Sequence, residues 1–210
     1  MSINCLRFVL GPLENNSYLI VDSETGDAVI VDPSFDTQVI LDEIKLHDWR
    51  LRQVWLTHAH FDHIAGVGTV IGSTIPPVPV GLHPGDLMLW KQNGMAPTFG
   101  VKFDAGPEPS MQFTHGQILH VGNSTFEVRH TPGHSRGHVV FVSENAPLVL
   151  CGDLIFKDSV GRTDLPGGNT AALIKSIRDQ ILTLPLETRL LSGHGPETTV
   201  GEEKNSNPYL

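Results

Sequence analysis

Four short apolar runs in this sequence share one feature, because a turn that contains a histidine or an aspartate follows closely on each of them. The runs and the residues that follow are 53–57 with His58, 125–129 with His134, 148–151 with Asp153, and 188–191 with His194. Runs of this length and composition predict β-strands. Strands in two adjacent sheets can bring such turns to one edge, where loops on a rigid scaffold commonly carry function. The pattern therefore predicts two packed sheets with one site at their rim.

The turn after the first run is the densest of the four, with the string His58-x-His60-x-Asp62-His63. A chance cluster, a solvated loop and a metal site are three interpretations of such a string. A single histidine after a strand is more often structural than a ligand, so one position alone decides little. Seven residues of ligand type, spread over four turns of the same pattern, favour a metal site.

Imidazole and carboxylate donors together suit two divalent metal ions, with zinc favoured and iron or manganese also compatible. No cysteine is among them, which argues against a structural zinc-finger-like site. The candidate ligands fall into three groups: His58, His60 and His134 for a first ion, Asp62, His63 and His194 for a second, and Asp153 as a bridge between the two. Two metals about 3.5–4 Å apart can activate a shared water and stabilise both the attacking and the leaving atom.

In the rest of the sequence, strands and helices alternate in a similar order in the two halves of the chain. Further strands are predicted at 5–10, 17–22, 28–31, 79–82, 118–121 and 138–142. Helices are expected at 35–49, 84–91 and 169–184. Residues 93–116 are rich in Gly and Pro and lack a period, so a long loop is expected there. Phe99 and Phe103 of this loop either cover a substrate or anchor the loop to the core. We find no internal linker, which predicts one domain over residues 1–210.

Composition limits the function classes. The chain has 210 residues, 40% hydrophobic and 18% charged, typical of a globular protein with its own core. Its formal charge of −9 and pI near 5.6 argue against nucleic-acid binding, because phosphate contacts need clustered Lys and Arg. No apolar run approaches the roughly 18 residues of a membrane span, and no signal-peptide pattern precedes the first strand. A cytoplasmic location without membrane contact is therefore expected, whereas the oligomeric state stays open.

The strings THAHFDHIAG, TPGHSRGHVVF, CGDLIF and SGHG resemble the ligand motifs of the metallo-β-lactamase superfamily of metallohydrolases. This resemblance covers nearly the whole chain. It implies an αβ/βα sandwich, in which two mixed sheets lie face to face and helices cover their outer sides. It also implies that the seven residues named above are the metal ligands, in the groups already given.

Two further strings, GRTDLPGG at 161–168 and the segment 193–210, resemble the short glyoxalase II-like branch, whose members hydrolyse thioesters such as S-lactoylglutathione. The resemblance implies attack on the thioester carbonyl by a hydroxide that bridges the metals, with Asp153 as the bridging ligand and Asp62 orienting the hydroxide. Arg162 and Asp164 are expected to form an ion pair at the pocket rim. Longer glyoxalase II enzymes add a C-terminal helical domain that helps hold glutathione, whereas this chain ends shortly after His194.

Other functions fit parts of the pattern. Persulfide dioxygenases resemble the chain in the same ligand string and in GRTD, but use one iron, which His58, His134 and Asp153 would hold here. The LPGG and NPYL strings favour the hydrolase. Net charge weighs against an RNA-processing nuclease, and the expected lack of a signal peptide weighs against a β-lactamase. A non-catalytic binding module is disfavoured, since no ligand is missing.

Overall fold

The computed structural model describes residues 3–210, and two six-stranded mixed sheets form its centre. The first sheet keeps chain order and consists of β1 (Ile3–Leu10), β2 (Asn15–Asp22), β3 (Asp27–Val31), β4 (Arg50–Trp55), β5 (Val80–Leu82) and β6 (Met111–Gln112). The first three strands are antiparallel, and the pairs from β3 to β6 are parallel. Parallel neighbours need crossover connections, and these carry the helices of this half.

The second half of the chain supplies β7 (Ile118–Val121), β8 (Ser124–His130), β9 (Val139–Ser143), β10 (Leu148–Gly152), the hairpin β11 (Ile155–Phe156) and β12 (Ser159–Val160), β13 (Arg189–Ser192) and β14 (Thr198–Thr199). The order in the second sheet is β14-β13-β10-β9-β8-β7. Its one parallel pair joins β10 to β13. Both of those strands therefore end at the same edge, as the pattern of strand and turn predicts.

The helices are α1 (Gln38–Leu46), α2 (Phe61–Ile64), α3 (Val67–Gly72), α4 (Leu87–Lys91), α5 (Thr170–Gln180) and α6 (Val200–Ser206), with 3-10 segments at Pro84–Asp86 and Asn93–Phe99. α1 and α3 pack their apolar faces on the outer side of the first sheet. α5 does the same on the second sheet. No helix within residues 3–210 has the length and apolar character needed to cross a membrane.

Large aromatic side chains fill the space between the sheets. The Trp55 ring lies 5.4 Å from that of Phe126 and 5.1 Å from that of Phe141, between ring centroids. All three are fully buried. Helix, sheet, sheet and helix thus form four layers, which confirms the αβ/βα sandwich.

Most predicted elements exist, but their ends differ. α1 begins at Gln38 rather than at residue 35 because Asp36 has a left-handed backbone with φ of 59°. The Asn169 side chain caps α5 by accepting a hydrogen bond from the Ala172 amide at 2.9 Å. α5 ends at Gln180, although the buried Ile181 continues its apolar pattern.

The prediction of a long structureless loop at 93–116 is wrong in two places. A 3-10 segment occupies Asn93–Phe99, and β6 pairs with β5 at the edge of the first sheet. Left-handed backbone at Gly94 and Met95 interrupts the helical period, which explains why the sequence shows none. Phe103 packs against the core, whereas Phe99 is half exposed.

Candidate metal centre

The four predicted turns meet at one edge of the sandwich. Backbone hydrogen bonds tie the two sheets together there, from the Val139 amide to the Thr57 carbonyl at 2.8 Å and from the Asn16 amide to the Gly193 carbonyl at 2.7 Å. All seven candidate ligands face this edge. Two groups of three place their ligand atoms within 4.8 Å of one another: His58, His60 and His134, called the first triad here, and Asp62, His63 and His194, called the second triad.

The first triad consists of three buried imidazoles whose nitrogens point at one another. His60 Nδ1 lies 2.8 Å from His134 Nε2, which lies 3.2 Å from His58 Nε2. His134 uses its other nitrogen, Nδ1–H, to donate to the Arg162 carbonyl at 2.8 Å. A carbonyl only accepts, so His134 Nδ1 carries a hydrogen and His134 Nε2 is the nitrogen that faces the triad.

His58 is oriented by a chain of two hydrogen bonds. Its Nδ1–H donates to Thr57 Oγ1 at 3.0 Å, and that hydroxyl donates to Asp32 Oδ2 at 2.6 Å. His60 differs, because its Nε2 is buried and has no hydrogen-bond partner among the described residues. The outer partners of His58 and His134 fix which nitrogen of those two rings faces the centre.

The second triad mixes one carboxylate with two imidazoles. His194 Nε2 lies 3.1 Å from Asp62 Oδ2, and His63 Nε2 lies 3.6 Å from the same oxygen. The Nδ1–H of His194 donates to the Leu13 carbonyl at 3.0 Å, and that of His63 donates to Asp32 Oδ2 at 2.9 Å. The two Nε2 atoms are thereby directed to the centre.

Asp153 lies between the two triads. Its Oδ1 is 3.4 Å from His63 Nε2, while its Oδ2 is 3.6 Å from His134 Nε2 and 3.8 Å from His194 Nε2. Oδ1 is buried without a hydrogen-bond partner within the described chain. The backbone amide of Asp153 donates to His138 Nε2 at 3.1 Å. The His138 ring therefore stabilises the turn that carries Asp153 and does not face the triads as a ligand.

Burial and mutual proximity set the charges of these groups. Burial, followed by the neighbouring His134, lowers the pKa of His60 to about 3, and burial and His63 lower the pKa of His58 as well. Burial also lowers the pKa of His63, but Asp153, Asp62 and Asp32 raise it well above its ordinary value. His58 and His60 are therefore neutral, and the second triad lies among carboxylates.

The donor set fits bound cations. Three imidazole nitrogens that lie 2.8–3.2 Å from one another form a compact set of donors for one cation. Two nitrogens on one tetrahedral zinc ion are about 3.3 Å apart, given Zn–N bonds of about 2.0–2.1 Å. Asp153 Oδ1, which is buried and has no hydrogen-bond partner among the described residues, adds a carboxylate oxygen to this donor set. This His and Asp cluster therefore suits divalent metals.

Two buried carboxylates that support the centre, Asp32 and Asp86, were not predicted from the sequence. Asp32 accepts from the Thr57 amide at 2.7 Å as well as from Thr57 Oγ1 and His63. Asp86 accepts from the Ala59 amide at 3.1 Å, Ser135 Oγ at 2.7 Å and the Gly137 amide at 2.6 Å. Asp32 directly follows the apolar run 28–31 and so carried the same signal as the ligand turns.

Two glycines are needed where the turns approach closely. Gly152 has a φ of 48°, and a Cβ there would collide with the Thr57 side chain. A Cβ at Gly193 would collide with Asp153 Oδ1 and approach the His63 ring. The centre can therefore be assembled only if these turns lack side chains.

A cleft of about 630 Å³ opens beside the triads, and five of the seven candidate ligands line it. Its other walls are mainly apolar, and Arg162 contributes to its rim. Arg162 forms a bidentate ion pair with Asp164 at 2.7–2.8 Å, as predicted. A volume of this size is typical of sites for small molecules.

A family model described as the metallo-beta-lactamase superfamily matches residues 10–194. The chain belongs to the metallo-β-lactamase superfamily. Among curated relatives, the probable metallo-hydrolase YqgX of Bacillus subtilis is 37% identical over 97% of this chain and 96% of its own length. Hydroxyacylglutathione hydrolase GloC of Haemophilus influenzae is 34% identical over 94% of this chain and 93% of its own.

Solved structures of the superfamily share the whole architecture. The B3 metallo-beta-lactamase BLEG-1 has a TM-score of 0.91 and 36% identity, and 99% of each chain is covered. TTHA1623 in a di-iron-bound form has a TM-score of 0.88 and 38% identity, over 98% of this chain and all of that one. ETHE1 from Myxococcus xanthus has a TM-score of 0.81 and 27% identity, over 98% and 83%.

Proposed function

We propose that this superfamily member hydrolyses thioesters of the hydroxyacylglutathione type, with two divalent metal ions held by the seven residues of the two triads and Asp153. The observation that carries the proposal is the position of Asp153 between two complete triads beside an open cleft. The similarity to GloC supports the substrate class. Zinc is the favoured metal on donor chemistry, and the di-iron form of TTHA1623 makes iron the first alternative.

Bound divalent metals supply a Lewis acid and lower the pKa of water from 15.7 to about 7, so that no Ser or Cys nucleophile is needed. The protein's share is positioning. Asp62 lines the cleft with its Oδ2 3.1 Å from His194 Nε2, and the lone pairs of its carboxylate can orient the attacking water. In the reaction a carbon–oxygen bond forms at the acyl carbon, the carbon–sulfur bond breaks, and one proton of the water ends on the released thiol.

The test is to measure metal content and turnover on the same purified protein. We expect about two metals per chain and hydrolysis of S-lactoylglutathione or of a glutathione-free thioester. The release of free thiol measures this hydrolysis. Chelation should abolish the activity, and the metal should restore it. Two bound metals without turnover of any thioester would overturn the proposal.

A second candidate is a single-iron persulfide dioxygenase, in which His58, His134 and Asp153 would hold the iron. The similarity to ETHE1 supports this alternative, and so does the proximity of these three side chains. A complete second triad is compatible with both candidates, and the LPGG and NPYL strings favour the hydrolase. One iron per chain, together with oxygen consumption on glutathione persulfide, would decide for the dioxygenase.

A further inference from the structure

The cleft beside the triads has walls that no step of thioester hydrolysis requires. Apart from the candidate ligands, its lining is dominated by apolar side chains, chief among them Leu13, Phe61, Phe99, Val101 and Phe156. Leu13 is 48% exposed and Phe99 49% exposed, and large apolar side chains gathered at the mouth of a cleft indicate a ligand contact. Binding of an apolar group against this wall is favourable, because it removes apolar surface from water.

The wall is continuous with the metal centre. Phe61 lies between the candidate ligands His60 and Asp62 in the chain, and its ring centroid is 5.6 Å from that of Phe99. The 3-10 segment that carries Phe99 is seated directly on Phe61, since a Cβ at Gly94 would collide with the Phe61 amide. A group bound against Phe99 is therefore next to the reacting bond and not at a remote subsite.

Charge in the cleft does not match a free peptide carrier. Among the described residues that line it, Arg162 is the only one with a permanently cationic side chain. Asp164 already binds this guanidinium through two hydrogen bonds. Glutathione carries two carboxylates, and their recognition needs cations that are not already neutralised.

We infer that the cleft selects its substrate by an apolar acyl chain, which lies against Leu13, Phe61 and Phe99 while the polar thiol carrier extends toward solvent. Biological thiol carriers are polar, so the acyl group is the part of a thioester that an apolar wall fits. The inference rests on the proposed thioester hydrolysis, but it replaces hydroxyacylglutathione as the preferred substrate by thioesters of apolar acyl groups. It names Leu13 and Phe99 as specificity-determining residues.

The experiment uses the metal-loaded full chain and one short neutral thiol, N-acetylcysteamine, acylated with acetyl, butanoyl, hexanoyl or octanoyl groups. We expect kcat/KM to rise about fourfold per buried methylene until the wall is covered. Hexanoyl-N-acetylcysteamine should then exceed S-lactoylglutathione. Leu13→Ser and Phe99→Ser should each lower kcat/KM about tenfold for the hexanoyl substrate and less than twofold for the acetyl one.

Leu186→Ser is the matched control, because Leu186 is 57% exposed and lies outside the cleft lining. It should leave the whole series unchanged. A second readout is calorimetric binding of the thioethers S-butyl- and S-hexyl-N-acetylcysteamine, which cannot be hydrolysed. Their affinity should increase with chain length, with a negative heat-capacity change, and should fall in Leu13→Ser and Phe99→Ser.

The two proposals fail in different ways. If no thioester is hydrolysed but the thioethers bind with this chain-length dependence, the proposed hydrolysis is wrong and the acyl-binding wall stands. If thioesters are hydrolysed with a flat dependence on chain length, or S-lactoylglutathione is the best substrate, the apolar selection is wrong and thioester hydrolysis stands. Absence of both hydrolysis and binding would overturn both.

Discussion

The two triads of the centre share the turn that follows β4 but differ in charge. The first contains three imidazoles with lowered pKa values at His58 and His60 and no carboxylate of its own. The second includes Asp62, and the pKa of its His63 is raised by three surrounding carboxylates. Cation binding at the first triad thus depends on lone-pair geometry, whereas negative charge also contributes at the second.

The supports of the triads differ in the same way. Asp32 binds the second triad directly, through His63 Nδ1, and reaches the first only through Thr57. Asp86 binds no imidazole, but it joins the backbone between His58 and His60 to the turn that follows His134. Asp86 therefore supports the first triad through its main chain, and Asp32 supports the second through a ligand ring.

The largest expected effect comes from removing the charge that the two triads share. Asp153→Asn should lower kcat/KM at least about a hundredfold and bring the metal content well below that of the unchanged protein, since one amide oxygen cannot serve both triads. Metal quantification and turnover on the same sample measure both effects. Asp48→Asn, at an exposed position just after the end of α1, should change neither. Full metal content with normal turnover in Asp153→Asn would contradict the bridging position.

A second substitution separates the triads. Asp62→Asn removes the carboxylate of the second triad and leaves the three imidazoles of the first intact. We expect one ion to bind about as before and the affinity for the other to fall at least tenfold. Competition with a chromophoric chelator resolves the two constants. Equal weakening of both ions would mean that the triads do not act as separate sites.

The supports should affect the two sites unequally. Asp86→Asn keeps the size of the side chain but cannot accept three hydrogen bonds as a carboxylate does, so the turns of the first triad loosen. We expect a 10- to 100-fold loss in metal affinity or activity, which is the usual size for outer partners, mainly at the first triad. Asp32→Asn should instead weaken the second triad first, through His63. Chelator competition, with urea unfolding of the metal-free proteins as a control for general destabilisation, distinguishes the two patterns.

The sequence pointed to the seven candidate ligands because each stands in a turn directly after an apolar run, a signal that repeats along the chain. Asp32 stands after such a run too, but Pro33 beside it indicates only a turn. Asp86 had no comparable signal, since its partners Ala59 and Gly137 are distant in sequence and contact it only in the folded chain. Likewise, the position of Phe99 in the cleft depends on left-handed backbone at Gly94, which propensity does not indicate.

The opposite end of the sandwich offers the smallest expected effect and a control for the whole comparison. Asp22 there is fully buried and joins the two sheets, accepting from the Thr25 amide at 2.9 Å, Ser124 Oγ at 2.8 Å and the Asn123 amide at 3.1 Å. Burial raises the pKa of Asp22, but these hydrogen bonds lower it by more than burial raises it. The pKa of Asp22 in the folded protein is therefore below the ordinary value. Its contribution to the free energy of unfolding is therefore present above the unfolded pKa of about 3.9 and lost as the pH falls through the lower folded value.

Asp22→Asn should cost about 1–3 kcal/mol of unfolding free energy at pH 7, the usual cost when a buried hydrogen-bonding partner is removed. The difference between the two proteins should stay constant down to about pH 5 and shrink below about pH 4, because the aspartate then becomes neutral as well. Urea unfolding of metal-free protein between pH 3 and 7 measures it, and metal content at pH 7 should be unchanged. If this difference in unfolding free energy does not shrink in acid, the charge of Asp22 does not contribute to stability. A charged carboxylate would then join the two sheets only at the metal centre.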